Sequence, residues 1–284
     1  MAEISPALYR AGEGEPVVLL HGFTGTWHHW RPLLADLVAR YEVIAPTLAG
    51  HDGGPPFPKD GPLTIEAAAT SLEHHLDELG VGSAHVVGNS MGGALAIELA
   101  KRGRARSVVA LSPGGGWEVG SAEAERIARF FIRQVRLTRA TQSRLPAVMR
   151  RAGSRRLALR DIMRCGHLVP PPDAVDMARS SIRCDVIDEV ITALRSGTNA
   201  LVQDLEAIEV PVLLAWAQRD RILPMETCSS RLRREIPGAE FRVLPAVGHV
   251  PMWDDTRLVT DTIVDWVTRH SERAAQGDVQ SAAA

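Results

Sequence analysis

The sequence predicts a doubly wound, mostly parallel α/β sheet with an inserted helical cap. Short, continuously apolar segments alternate with segments of helical periodicity from residue 17 to residue 112. Residues 117–195 then show helical periodicity without a convincing strand, and the strand–helix alternation resumes at residue 210. We therefore expect an α/β core formed by residues 1–115 and 200–270, and a helical cap formed by residues 116–199.

Turn residues and apolar runs predict the first part of the core. Residues 7–10 and 17–21 are expected to form a hairpin around the Gly-Glu-Gly-Glu segment 12–15. The run 17–21 is apolar enough for a strand that is buried on both faces. A helix is predicted over 30–40, a strand over 41–46 and a Gly- and Pro-rich loop over 48–63. Thr64 is expected to cap a helix that ends at Gly80.

The same patterns predict the remaining elements. Strands are expected at 84–89, 107–112, 210–216 and 240–244, and helices at 91–102, 227–236 and 256–269. Residues 271–284 are small and polar, which predicts a flexible tail.

The composition favours a globular protein that acts on a small molecule. Of its 284 residues, 45% are hydrophobic, and the formal net charge of −2 argues against nucleic acid as a partner. The three cysteines show no CxxC spacing or His–Cys cluster, so we expect reduced thiols, no metal site and a cytoplasmic location. We find no signal peptide and no apolar run of membrane-spanning length, so no membrane partner is expected. No cofactor is predicted, and a homodimer is left open.

Residues 88–92, Gly-Asn-Ser-Met-Gly, stand where a buried strand is followed by a helix. The chain must reverse so sharply at Ser90 that glycine is needed two residues to either side. Such a turn exposes the Ser90 hydroxyl and directs the Met91 backbone N–H into the same space, at a helix N-terminus that favours negative charge. The alternative is a Gly-rich turn with an incidental serine.

A serine nucleophile needs a base, and the base needs an acceptor for its second ring nitrogen. His249 follows the last predicted strand in a Gly-His loop, and His51 is its only serious rival among the other histidines. Asp220 follows the strand 210–216 and is the expected acceptor. Asp254 and Asp255 are alternatives, although they open a helix and are more typical of caps.

The His-Gly-Phe-Thr-Gly segment 21–25 follows the first long strand. A tetrahedral oxyanion needs two convergent N–H donors, and we expect Phe23 to supply one from its backbone and Met91 the other. His21 ends a buried strand, so we expect it to hold this loop through hydrogen bonds to nearby backbone rather than to act in catalysis.

These four elements together resemble the α/β-hydrolase superfamily, over about residues 7–270. The resemblance implies a Ser90–His249–Asp220 triad in the chain order of that fold. Members that open epoxides or remove halide carry an aspartate at the elbow, so Ser90 speaks against both reactions. The resemblance therefore implies hydrolysis of a small carboxylic ester, or of a related acyl compound such as a lactone or amide.

Two other functions stay open. Residues 88–93 and 113–115, together with Trp216 and Trp253, are similar to hydrolases that cleave C–C bonds of aromatic ring-fission products. Val250 departs from that group, whose members often carry an aromatic residue after the histidine. A small-molecule receptor with slow hydrolase activity is the second alternative, because some proteins of this fold act as receptors.

The substrate pocket is expected to involve Phe23, Trp117 and Val250, with Phe130, Phe131 and Met163 as further apolar candidates from the cap. Residues 121–195 hold 15 arginines against 8 acidic residues, a local excess of +7. This excess is interpreted either as solvated helix faces or as long-range steering of an anionic substrate.

Overall fold

A computed structural model gives the fold of the chain and describes residues 2–59, 61–197 and 199–282, with side chains to residue 271. Eight strands form one sheet in the order β1-β2-β4-β3-β5-β6-β7-β8. Their bounds are β1 Glu3–Ile4, β2 Leu8–Ala11, β3 Pro16–Leu20, β4 Glu42–Pro46, β5 Ala84–Asn89, β6 Ala105–Leu111, β7 Val212–Ala217 and β8 Glu240–Leu244. All neighbours from β4 to β8 pair in parallel, which confirms the predicted fold class.

The predicted hairpin between residues 7–10 and 17–21 is wrong. Strand β2 pairs antiparallel with β4, and β3 pairs in parallel with β4 and β5. Strand β4 therefore lies between the two strands that the turn was expected to join. The Gly-rich segment 12–15 is a crossing connection, in which Gly12 has a φ of +90° and lies close to the Tyr41 carbonyl.

Helices cover both faces of the sheet, because alternate residues of each strand point to opposite sides. Val86 belongs to one hydrophobic core, with helix α2 (Ile65–Glu78) and helix α3 (Met91–Lys101). Val87 belongs to the other core, with helix α1 (Arg31–Val38) and the last helix (Thr256–Ala282). The Thr64 hydroxyl accepts from the Ala67 amide at 3.1 Å, which confirms the predicted cap.

Five α-helices and no strand are described between β6 and β7. They are α4 (Glu123–Thr141), α5 (Leu145–Arg150), α6 (Ala152–Ala158), α7 (Pro171–Ile182) and α8 (Ile187–Arg195). Backbone hydrogen bonds join this helical layer to the core, from Asp185 N to Gly50 O at 2.7 Å and from Val250 N to Ile162 O at 3.0 Å. The layer therefore covers the edge of the sheet at which the parallel strands end.

The remaining helices complete the core. Helices α9 (Met225–Cys228) and α10 (Ser230–Glu235) follow β7, and α11 (Thr256–Ala282) follows β8. The tail predicted for residues 271–284 falls almost entirely outside the residues whose side chains the structure describes. No helix in the described part of the chain is long and apolar enough to cross a bilayer.

Candidate active site

The turn at Ser90 is strained in the way that the sequence predicts. Ser90 lies between β5 and α3 with φ 57° and ψ −118°, a left-handed conformation that L residues rarely adopt. A Cβ at Gly88 would lie 2.0 Å from the Gly92 carbonyl oxygen, and one at Gly92 would lie 2.2 Å from the Leu20 carbonyl oxygen. Both glycines are therefore required by close backbone contact, and the packing fixes the conformation of Ser90.

His249 and Asp220 form a buried hydrogen-bonded pair. The His249 Nδ1 lies 2.7 Å from Asp220 Oδ2, and the two side chains are only 4% and 0% exposed. The other carboxylate oxygen accepts from the Ile222 and Leu223 amides at 2.9 and 2.7 Å. These bonds fix the carboxylate, so that a ring with its proton on Nδ1 presents its Nε2 lone pair for proton transfer.

The two alternative acids have other partners. Asp254 accepts from the backbone amides of Arg164, Cys165 and Gly248 at 2.6–2.8 Å. Asp255 accepts from the Leu258 amide at 2.9 Å, as a residue that caps a helix does. Neither carboxylate contacts the His249 ring, so Asp220 is the acid placed to orient it.

Ser90 and His249 line the same cavity, which has a volume of about 260 Å³. No hydrogen bond between the Ser90 hydroxyl and the His249 ring occurs among the described residues. Asn89, the residue before Ser90, holds the two segments together, because its side-chain amide donates to the His249 carbonyl at 2.9 Å. Hydrogen bonds between catalytic groups are often long without substrate and tighten in the substrate complex.

The segment 21–25 packs directly against the turn at Ser90. A Cβ at Gly22 would lie 3.1 Å from the Ser90 Cβ. Met91 begins α3, where a backbone N–H has no acceptor within the helix. In the described part of the chain, neither the Phe23 nor the Met91 amide has an acceptor, so both are free to bind an oxyanion.

The alpha/beta hydrolase family model matches residues 17–262. The chain belongs to this family. It is 32% identical to "Epoxide hydrolase EphH" of Mycobacterium tuberculosis over 213 residues, which cover 72% of the chain and 95% of that protein. It is 26% identical to "Lipase 3" of Moraxella sp., over 89% of the chain and 76% of that protein. It is also 26% identical to "2-hydroxy-6-oxo-2,4-heptadienoate hydrolase" of Pseudomonas putida, over 87% of the chain and 86% of that protein.

Solved structures share the fold. Naproxen esterase from Bacillus subtilis superposes with a TM-score of 0.71 at 20% identity, covering 94% of this chain and 91% of the esterase. A meta-cleavage product hydrolase from Pseudomonas fluorescens superposes with a TM-score of 0.68 at 22% identity, covering 95% and 97%.

The cavity of this alpha/beta hydrolase is apolar, and Ser90 also lines a second apolar cavity of about 80 Å³. Phe23 and Phe131 line both cavities, with their ring centroids 4.8 Å apart. Among the predicted pocket residues, Val250, Phe130 and Met163 line the larger cavity and Trp117 the smaller one. No Lys or Arg is among the described residues that line either cavity. Ser90 therefore has apolar surroundings in both cavities.

His21 holds the segment 21–25, as the sequence predicts. Its Nδ1 lies 2.9 Å from the Gly22 carbonyl, and its Nε2 accepts from the Leu48 amide at 2.9 Å. Burial and the neighbouring His51 hold the pKa of His21 well below its ordinary value. The ring is therefore neutral, and its two nitrogens serve the loop as one donor and one acceptor.

His51, the rival base, does not reach either cavity beside Ser90. Its ring packs edge-on against His21 at 5.0 Å and against Phe23 at 6.1 Å, and its Nδ1 lies 3.1 Å from the Ala49 carbonyl. Burial lowers its pKa to about 4. His51 is thus a neutral residue that supports the loop.

The contacts of three residues near the site were not predicted from the sequence. Asn89 donates to the Leu111 and His249 carbonyls, and so fixes the His249 loop to the strand before Ser90. Asp254 ties the same loop to the cap through the amides of Gly248 and Arg164. His29 lines the larger cavity, and burial, with His28 as a further cause, lowers its pKa to about 4. Asn89 stands at a variable position of the Gly-Asn-Ser-Met-Gly motif and the other two residues lie outside the motifs, so only the structure reveals their contacts.

Proposed function

We propose that the chain hydrolyses an uncharged carboxylic ester with apolar groups on both sides of the ester bond. The observation that carries this proposal is the buried His249–Asp220 pair, which opens onto the cavity that Ser90 also lines. Relatives named as lipases and a structural neighbour named as an esterase support ester chemistry.

In the proposed mechanism, the Ser90 hydroxyl oxygen attacks the ester carbonyl carbon while His249 Nε2 takes its proton. The Phe23 and Met91 amides bind the oxyanion, and Asp220 stabilises the imidazolium. When the tetrahedral intermediate collapses, His249 passes the proton to the departing alcohol. Water then gives a proton to His249 and attacks the acyl-serine, and His249 returns that proton to the Ser90 oxygen as the acid is released.

The nucleophile argues against epoxide hydrolysis, although one relative is named for that activity. A serine oxygen that opened an epoxide would form an ether, which water activated by His249 could not hydrolyse. A carboxylate nucleophile would instead form an ester, which water can cleave. Ser90 therefore suits acyl substrates.

The sizes of the cavities suggest how an ester would bind. The larger cavity, of about 260 Å³, lies under the cap, and the smaller one, of about 80 Å³, lies beside Trp117 and Met91. Because Ser90 lines both cavities, we expect an ester at its hydroxyl to place a long group in the larger one and a short group in the smaller one. The absence of cationic side chains among the described lining residues favours uncharged substrates over anionic ones.

C–C hydrolysis of a ring-fission product is the second candidate, supported by a relative and a structural neighbour named for such reactions. A dienoate substrate carries a carboxylate, for which the described cavity lining offers no Lys or Arg. Trp216, which suggested this group, is buried in the core and donates to the Leu223 carbonyl at 2.9 Å. A receptor with slow turnover remains the non-enzymatic alternative.

The test is a screen of p-nitrophenyl esters of increasing acyl length, an anionic ester, a lactone and one ring-fission dienoate with wild-type protein and Ser90→Ala. We expect neutral apolar esters to be turned over fastest, and Ser90→Ala to reduce kcat by about 10⁴–10⁶-fold. Near-normal turnover by Ser90→Ala would end the mechanism, and preference for the dienoate would select C–C hydrolysis. Labelling of Ser90 by a fluorophosphonate with negligible turnover of every ester would indicate a receptor.

A further inference from the structure

One segment of the cap carries charge of a single sign. Residues 126–160 contain eleven arginines and no Asp, Glu or Lys, in a chain whose formal net charge is −2. The segment spans most of α4 and all of α5 and α6. Arginines that are three or four residues apart along α4, such as Arg129, Arg133 and Arg136, repel one another on the helix surface. Helix stability alone does not favour such a pattern.

Most of these charges are not neutralised within the chain. Arg126 and Arg129 pair with Glu123 and Glu125, Arg160 lies 3.8 Å from Asp161, and Arg155 is buried against backbone carbonyls. The other seven are exposed and have no carboxylate partner among the described residues: Arg133, Arg136, Arg139, Arg144, Arg150, Arg151 and Arg156. We call the surface formed by these seven arginines the basic cap face.

Apolar side chains are exposed on the same helices. Leu137 on α4 and Val148 on α5 are 58% and 37% exposed, and both also line the larger cavity. They therefore lie where that cavity meets solvent. Leu157 on α6 is 62% exposed and precedes Ala158, which lines the same cavity. The mouth of the cavity is thus apolar, and it is formed in part by helices that carry unpaired arginines.

We propose that the basic cap face docks on an anionic lipid surface, with Leu137, Val148 and Leu157 inserted between lipid headgroups. Basic surfaces that also expose apolar side chains bind membrane interfaces, because arginine attracts anionic headgroups while the apolar groups enter the acyl boundary. In this orientation the mouth of the apolar cavity faces the lipid. An apolar substrate would then enter the cavity without crossing water.

Charge and hydrophobicity together distinguish this partner from two others. Nucleic acid would satisfy the arginines but offers nothing to three exposed aliphatic side chains around a cavity. A second copy that docked through the same face would bring seven unpaired arginines against seven more, which is unfavourable. The expectation of no membrane partner rested on the lack of a spanning segment, which a peripheral surface does not need.

The docking test measures vesicle binding by a protein that lacks the Ser90 hydroxyl. A failure of the docking proposal is therefore distinguishable from a failure of the proposed ester hydrolysis. Ser90→Ala protein is sedimented with vesicles of phosphatidylcholine, with or without phosphatidylserine. We expect binding only to the anionic vesicles and release by added salt. Arg133→Gln with Arg136→Gln should weaken binding by about fivefold per charge removed, or about 25-fold in total. The matched control is Arg40→Gln with Arg257→Gln, which removes two exposed charges from the surface of the α/β domain, outside the basic cap face. This variant should bind the vesicles normally.

The orientation is tested with Leu137→Trp. Its tryptophan emission should shift to the blue on anionic vesicles. A Val243→Trp variant, which places the new residue on the exposed surface of β8 in the α/β domain, should show no such shift. Equal loss of binding in the core and cap double variants would overturn the proposal. So would binding to duplex DNA that is as tight as to anionic vesicles, or self-association in place of vesicle binding.

Discussion

Replacing Asp220 with asparagine separates the orientation of His249 from the stability of its loop. Asp220 Oδ1 accepts two backbone amides at 2.9 and 2.7 Å, and Oδ2 faces His249 Nδ1 at 2.7 Å. In Asp220→Asn, the amide oxygen can keep both backbone bonds while the amide nitrogen faces the ring. Because that nitrogen is a donor, the ring must carry its proton on Nε2, where it cannot accept the Ser90 proton.

The expected loss is large in rate and small in stability. The wrong tautomer should reduce kcat on p-nitrophenyl esters by about 10⁴-fold, or about 5 kcal/mol in activation free energy. The free energy of unfolding, measured with urea, should fall by only about 1–2 kcal/mol, because a single charge-assisted bond is lost and two backbone bonds remain.

Asp255→Asn is the matched control. It makes the same substitution at a carboxylate that accepts only the Leu258 amide, and asparagine caps helices as well as aspartate does. Its kcat should equal that of the wild type. If Asp220→Asn retained kcat within about tenfold, or if Asp255→Asn lost as much, the assignment of Asp220 would be refuted.

Three further predictions follow from contacts near the site. Asn89→Leu should destabilise the protein by about 1–3 kcal/mol in urea unfolding, because the buried His249 carbonyl loses its donor while the Leu111 carbonyl keeps the Ser90 amide. Its kcat should fall because the His249 loop loosens, and an unchanged kcat would contradict this role. The pKa of His51 is about 4 in the folded protein and 6.5 in the unfolded chain, so about 3 kcal/mol of folding stability should be present above pH 6.5 and lost as the pH falls towards 4. His51→Asn should flatten that part of the curve of stability against pH, and an unchanged slope would contradict the prediction. Phe131→Ala should join the two cavities and shift the acyl length that gives the highest kcat/KM in an ester series. An unchanged preferred acyl length would contradict the role of Phe131 in separating the cavities.

Local patterns predicted most of the fold. Strand β5 and the start of α3 match the prediction to the residue, because the strand has an apolar centre at Val86 and Val87 and the glycines around Ser90 force the turn. The hairpin failed because the partner of β2 is β4, which lies more than thirty residues further along the chain. Turn residues indicate that the chain reverses, but they do not indicate which strand pairs with the strands on either side of the turn.

The site was predictable where its residues belong to motifs. The elbow and the histidine loop combine a residue type with a position after a strand, so Ser90, His249 and Asp220 could be proposed together; the structure pairs His249 with Asp220 and places Ser90 in the same cavity as His249. Asn89 could not, since its bond joins residues 160 positions apart. His29 was missed because it lines the cavity from a 3₁₀ helix, Trp27–Trp30, whose sequence shows no functional pattern.

Capture of the acyl intermediate tests the central claim most directly. Wild-type protein and Ser90→Ala are mixed with excess p-nitrophenyl ester, quenched in acid within the first turnover, digested and analysed by mass spectrometry. The account predicts one added acyl group on the wild-type peptide that contains Ser90, and none on the variant. Rapid turnover with an unmodified Ser90, or an acyl group on another residue that Ser90→Ala leaves in place, would contradict it.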